Sequence, residues 1–232
     1  MELGLFLLRW IHFLAGITWI GLLYYFNFVQ TPFFAETEPA VRSGAIQKLV
    51  PRALWWFRWA AMATFLAGIL MYLDELGKQG IAEFFNRSYG WAITVGGTLG
   101  TIMFLNVWLV IWPCQQVVIA STVQVAQGGQ AIPEAAARAR RAALTSRTNV
   151  VFSIPMLFYM GAARHYTLFG EASSGAIAGL LVIGGVIIAL VEANALVGSQ
   201  GPTKKPLDTV SGALWSGFIL AAILYVLFLI LF

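Results

Sequence analysis

Cysteine is nearly absent from this sequence: Cys114 is the only one in 232 residues. A single cysteine excludes an internal disulfide, a cysteine-ligated iron–sulfur cluster and the CxxCH attachment of a c-type haem. Histidine is almost as scarce, with only His12 and His165, which leaves too few ligands for a structural zinc site. Charge is thin as well. Asp, Glu, Lys and Arg make up 10% of the chain, against about 25% in a soluble domain. Any cofactor must be held by very few ligands, and each charge inside an apolar run calls for a reason.

What is abundant is apolar surface. Hydrophobic residues make up 59% of the chain and the mean hydropathy is +0.80, a composition that belongs in lipid. The net charge of +4 reads as the basic bias of cytoplasmic loops, so no nucleic-acid partner is expected. The first apolar run is too long for a signal-peptide core and lacks a small-residue cleavage site. It is expected to stay as a membrane span.

Runs of about 20 apolar residues with few charges predict an all-α integral membrane protein, a single domain over 1–232 with about six transmembrane helices. The spans fall near 5–29, 53–73, 91–112, 148–168, 175–197 and 212–232. The second opens with Trp55, Trp56 and Trp59, which read as an interfacial anchor. Residues 74–88 mix charged and apolar positions and read as an amphipathic surface helix. Pro113 is expected to end the third span, and Pro155 to kink the fourth. Pro133 suits the first turn of a new helix. Gly96, Gly97 and Gly100 would let a helix or a flat cofactor approach closely. Pro32, Pro39 and Pro51 mark a loop holding a short helix near 40–49.

Six spans put both termini on one side. Most arginines and lysines, among them Arg42, Arg138, Arg140, Arg141 and Lys204, fall on the other. The positive-inside rule then makes the termini periplasmic and the location the bacterial inner membrane, with the lipid bilayer as partner.

This topology puts His12 and His165 in the same, periplasmic half of the bundle. Gly16 follows His12 by one helical turn and Gly161 precedes His165 by one turn, each on its histidine's face. Two imidazoles on different helices, each over a glycine, suit the iron of a six-coordinate haem b, which needs no covalent link. Met156 or Met160 is the alternative ligand to one histidine. The bland alternative is interhelical hydrogen bonding, or a His165 lying at the headgroups beside Arg164 and Tyr166.

Polar side chains gather at the opposite, cytoplasmic end: Asn27, Arg58, Asn106, Asn149 and Glu192. Polar groups inside spans are costly and mark function. Amides and arginine, with Trp108, Trp112 or Tyr25 for stacking, suit a small, planar, anionic heterocycle. Glu192 is expected to be neutral or paired with Arg58 or Arg147. The competing reading is interhelical hydrogen bonding with snorkelling cations.

Three segments, RWIHFLAGITWIGLLYYFNFVQ, NVWLVIWPCQQ and SRTNVVFSIPMLFYMGAARH, resemble the membrane domain of bacterial membrane-bound urate hydroxylases, or urate dehydrogenases. That family carries a C-terminal cytochrome c domain. The resemblance implies oxidation of urate to 5-hydroxyisourate without oxygen as the direct oxidant, with electrons passed to a cytochrome c. It implies no assigned catalytic residue. No CxxCH occurs in these 232 residues, so the expected acceptor is a separate cytochrome c. Cys114 stands where the family is expected to carry a more polar residue. The alternative is a non-catalytic, haem-binding or haem-free subunit of a larger respiratory or oxidising complex. A purine transporter ranks below both, because no repeat pair is evident.

Overall fold

The structure, a computed structural model, describes residues 2–168, 170 and 172–232. Among these the fold is helical throughout, with no strand. Helix α1 (Glu2–Tyr24) passes through a π-helical turn, Tyr25–Gln30, into α2 (Thr31–Glu36). Then come α3 (Pro39–Lys48), α4 (Val50–Gln79) and α5 (Ile81–Asn86). Helix α6 (Ser88–Leu105) runs through a second π turn, Asn106–Ile111, into α7 (Trp112–Ala126). Helix α8 (Ala135–His165) follows. Next, α9 (Ser174–Gly179) joins α10 (Gly185–Leu196) through a third π turn, Leu180–Gly184. A 3₁₀ segment, Pro202–Asp208, precedes α11 (Val210–Leu231).

Among the described residues, five helical segments are long and apolar enough to cross a membrane: Glu2–Glu36, Val50–Gln79, Ser88–Ala126, Ser174–Leu196 and Val210–Leu231. Their length and composition fit a multi-pass membrane protein. The expected fourth span lies within α8, which is not among them. Helix α8 begins with Arg138, Arg140, Arg141 and Arg147 and carries Thr145, Thr148, Asn149 and Ser153. It tolerates these groups because it is the central helix, packed against α6, α7, α10 and α11. Thr145, Thr148, Asn149, Val150, Phe152, Ser153 and Tyr159 are fully buried. A helix sheltered by other helices need not be as apolar as one that faces lipid.

Lipid is as apolar as leucine, so close packing, and not hydrophobic transfer, holds such helices together. Small residues set the approach. A methyl on Gly96 would meet Met160 Cγ at 3.3 Å, and one on Gly217 would meet Ile154 Cδ1 at 2.5 Å and the Val151 carbonyl oxygen at 3.0 Å. Gly96 seats α6 on α8, and Gly217 seats α11 on the opposite side. At Gly96, the close neighbour of the expected glycine line is thus a helix. On the periphery, α1 packs mainly on α4 and exposes Leu3, Phe6, Trp10, Phe13 and Ile17. Trp55, Trp56 and Trp59 are exposed, as an interfacial anchor requires.

Three local expectations are corrected. Pro113 does not end a helix: it falls just after the π turn, inside the continuous helix Ser88–Ala126. Residues 74–88 are not one surface helix. Helix α4 continues to Gln79 and stops at Gly80, whose φ of +78° suits glycine alone. Helix α5 then turns Phe84 inward, fully buried against Tyr72, Phe85 and Tyr89. Finally, Pro133 precedes α8, whose first residue is Ala135.

Candidate functional site

Two of the three π turns place polar side chains against α8. A π turn inserts one residue into a helix and often occurs at functional sites. In the first, buried Asn27 donates from Nδ2 to the Leu23 carbonyl and to Ser146 Oγ, both at 2.8 Å. Its Oδ1 accepts from Arg147 Nε at 2.8 Å. One turn away, Tyr24 and Ser153 share a hydroxyl–hydroxyl bond of 2.9 Å. In the second, Asn106 donates from Nδ2 to Asn149 Oδ1 at 2.9 Å and to Glu192 Oε2 at 3.0 Å. Asn149 in turn donates to the Met103 carbonyl at 3.0 Å.

Arg147 and Asn149 are two residues apart on α8, so they point about 200° apart around the helix axis. The polar end of the bundle is therefore two clusters on two sides of α8. Asn106, Asn149 and Glu192 come together on one side, and Asn27 with Arg147 and Ser146 on the other.

Glu192 was expected to be neutral or paired with Arg58 or Arg147; among the described residues it forms no ion pair with either. Arg147 is engaged by Asn27, and Arg58 lies among indoles. The Arg58 guanidinium carbon sits 3.9 Å from the centroid of Trp112, 5.5 Å from Trp108 and 5.8 Å from Trp59. Trp59 and Trp108 meet edge to face at 5.3 Å. An indole face attracts a guanidinium but offers no lone-pair acceptor in its plane. Accordingly Arg58 Nε is buried with no hydrogen-bond partner, and so is Trp108 Nε1. A third donor, Arg147 Nη1, is in the same condition, as is one acceptor, Gln30 Oε1. Buried polar atoms are nearly always paired, so several unpaired donors at one end of the bundle describe a place for acceptors.

At the other end, His12 Nδ1 lies 2.9 Å from the Thr64 carbonyl oxygen. A carbonyl only accepts, so Nδ1 carries the proton and Nε2 keeps its lone pair. This is the tautomer and anchoring that metal-ligating histidines use. The ring rests on Gly68 of α4, where a methyl would lie 3.2 Å from Cε1. Gly16 faces Thr64 Cγ2 at an ordinary 3.8 Å, and Gly161 faces open space. His165 is exposed in the last turn of α8. No cluster of three or more His, Cys, Asp or Glu side chains that could hold a metal ion occurs among the described residues.

Thr64 and Gly68, which hold His12, were not singled out from the sequence. The small pair at 64 and 68, spaced one turn apart on a helix, was the available signal. The π turns left no signal, because their residues are as apolar as their neighbours.

A family profile described as "Urate oxidase N-terminal" matches residues 81–210, more than half of the chain. No curated protein and no solved structure matches. The chain belongs to the urate oxidase N-terminal family. The matched stretch holds Asn106, Trp108, Asn149, His165 and Glu192, while His12, Asn27 and Arg58 lie before it.

Proposed function

We propose that this member of the urate oxidase N-terminal family binds urate, or a close heterocyclic analogue, at the polar end of its bundle and oxidises it. The reading rests on one observation beyond family membership: Arg58 Nε and Trp108 Nε1 are buried donors without acceptors, with the Arg58 guanidinium over the rings of Trp112 and Trp108. Urate is planar, anionic and rimmed with carbonyl oxygens. Trp112 and Trp108 offer surfaces for stacking, and Arg58 and Trp108 offer N–H groups to its oxygens. Asn106, Asn149 and Glu192 already satisfy one another. They fix the π turn that carries Trp108, and the Glu192 carboxylate has acceptor capacity left for a proton.

The reaction is urate plus water giving 5-hydroxyisourate, two protons and two electrons. The oxidant is cytochrome c, two molecules of which each take up one electron. His12, anchored through Nδ1 to the Thr64 carbonyl, and the exposed His165 would hold a haem b, with Gly16 and Gly161 on the same helix faces. When bound, that group would supply a one-electron carrier between substrate and cytochrome. The account assumes six crossings, with α8 as the central one, both termini periplasmic and the arginine-rich end of α8 at the cytoplasm of a bacterial inner membrane.

The test is direct binding of urate to the purified protein in detergent. Wild type should bind urate, and Arg58→Leu should weaken binding about tenfold, the worth of one charged hydrogen bond. Equal binding by both proteins would sink the assignment of Arg58.

A further inference from the structure

Beyond the urate reading, and independent of it, stands a second polar region where α10 ends. Three carbonyls at and just beyond that end, on the alternate residues 195, 197 and 199, are each taken by a cation. Arg141 Nη1 donates to Ala195 O at 2.8 Å, Lys204 Nζ to Val197 O at 2.9 Å and Arg140 Nε to Ser199 O at 3.1 Å. The one carboxylate in the group is Asp208, paired with Arg140 at 2.7 Å. Three cations against one anion leave a surplus of two positive charges.

The surplus borders a cavity. Ala136, Ala137, Arg140, Arg141, Ser199 and Gln200 line a pocket of about 440 Å³ that opens to the surface. Lys204 lies buried behind the arginines at 3% exposure. Its burial first, and then the nearby Arg141 and Arg140, hold the ammonium below the ordinary lysine value. Capping of the α10 C-terminus explains one N–H of each cation. It does not explain three cations where one would serve, or the cavity beside them.

We propose that this pocket binds a phosphate group, with Arg141, Arg140 and the Ser199–Gln200 wall around it. The region joins two membrane-spanning helices, α10 and α11, and so lies at the level of lipid headgroups. Basic pockets at such positions hold anionic phospholipids. A soluble phosphate compound offers the same oxyanion.

Native mass spectrometry of the full chain in detergent tests the site, with phosphatidylglycerol, phosphatidylcholine and pyrophosphate titrated separately. Gln200→Glu adds a negative charge on an exposed wall without touching a carbonyl cap, and Arg141→Gln removes a cation. Each should weaken binding about fivefold, the worth of one charge near a headgroup. Retention of one phosphatidylglycerol in preference to phosphatidylcholine, lost in Gln200→Glu, assigns the site to lipid. Pyrophosphate binding with the same sensitivity, in the absence of phosphatidylglycerol preference, assigns it to a soluble phosphate. Equal retention of both lipids without pyrophosphate binding overturns the proposal. So does binding that Gln200→Glu and Arg141→Gln both leave unchanged.

Discussion

His12 donates its Nδ1 proton to the main-chain oxygen of Thr64 across 2.9 Å, and it reaches that oxygen because residue 68 has no side chain. A methyl at 68 would stand 3.2 Å from Cε1 and 3.4 Å from Nδ1. Gly68→Val should therefore displace the ring and cost about 1–3 kcal/mol, the usual price of overpacking. Thermal unfolding in detergent reads the loss. A variant as stable as wild type would mean that α1 and α4 separate without resistance.

The Asn106–Asn149 pair should behave as a unit. Asn106→Leu leaves Asn149 Oδ1 and Glu192 Oε2 without their donor, and each unsatisfied buried group costs about 1–3 kcal/mol. Asn149→Leu removes the bond to Met103 O as well. In a double-mutant cycle the pair should show coupling of about 0.5–3 kcal/mol. Strict additivity would show that the Asn106–Asn149 hydrogen bond contributes nothing to stability.

Arg58→Lys should not rescue Arg58→Leu. A lysine keeps the charge but loses the planar stack on Trp112 and the fixed direction of Nε. The expected outcome for both variants is urate affinity lower by about tenfold, with a change in tryptophan fluorescence. Full affinity in Arg58→Lys would reduce the role of Arg58 to charge alone.

Gly217→Leu tests the central position of α8. Its Cβ would fall 2.5 Å from Ile154 Cδ1, which can swing aside, and 3.0 Å from Val151 O, which is backbone and yields less. Helix α11 should be pushed from α8 at a cost of about 1–3 kcal/mol or more, seen as a lower melting temperature. Unchanged melting would place α11 elsewhere.

The sequence carried the helices and their rough ends through apolar run length, and the exposed Trp55 and Trp56 through their interfacial chemistry. It also marked Asn27, Asn106, Asn149 and Glu192 as conspicuous, because amides and acids in apolar runs must find partners. It could not say which partners. Arg147 and Asn149 look alike in a run of residues, and only the helix turn between them sends one to the π turn Tyr25–Gln30 and the other to α6 and the π turn Asn106–Ile111. The π turns shift the phase by one residue and so move Asn27 and Asn106 onto α8, a shift that no hydrophobic period records. Glu192 found an amide where a cation was expected, since the indoles of Trp108 and Trp112 had already taken Arg58.

The most direct test of the account is anaerobic addition of urate to the purified, ferricyanide-oxidised protein, followed by visible absorbance and by product analysis. The account predicts a b-type haem spectrum that becomes reduced as 5-hydroxyisourate forms, with His12→Ala abolishing the spectrum. A folded protein whose spectrum urate leaves unchanged, with no 5-hydroxyisourate formed, would contradict it.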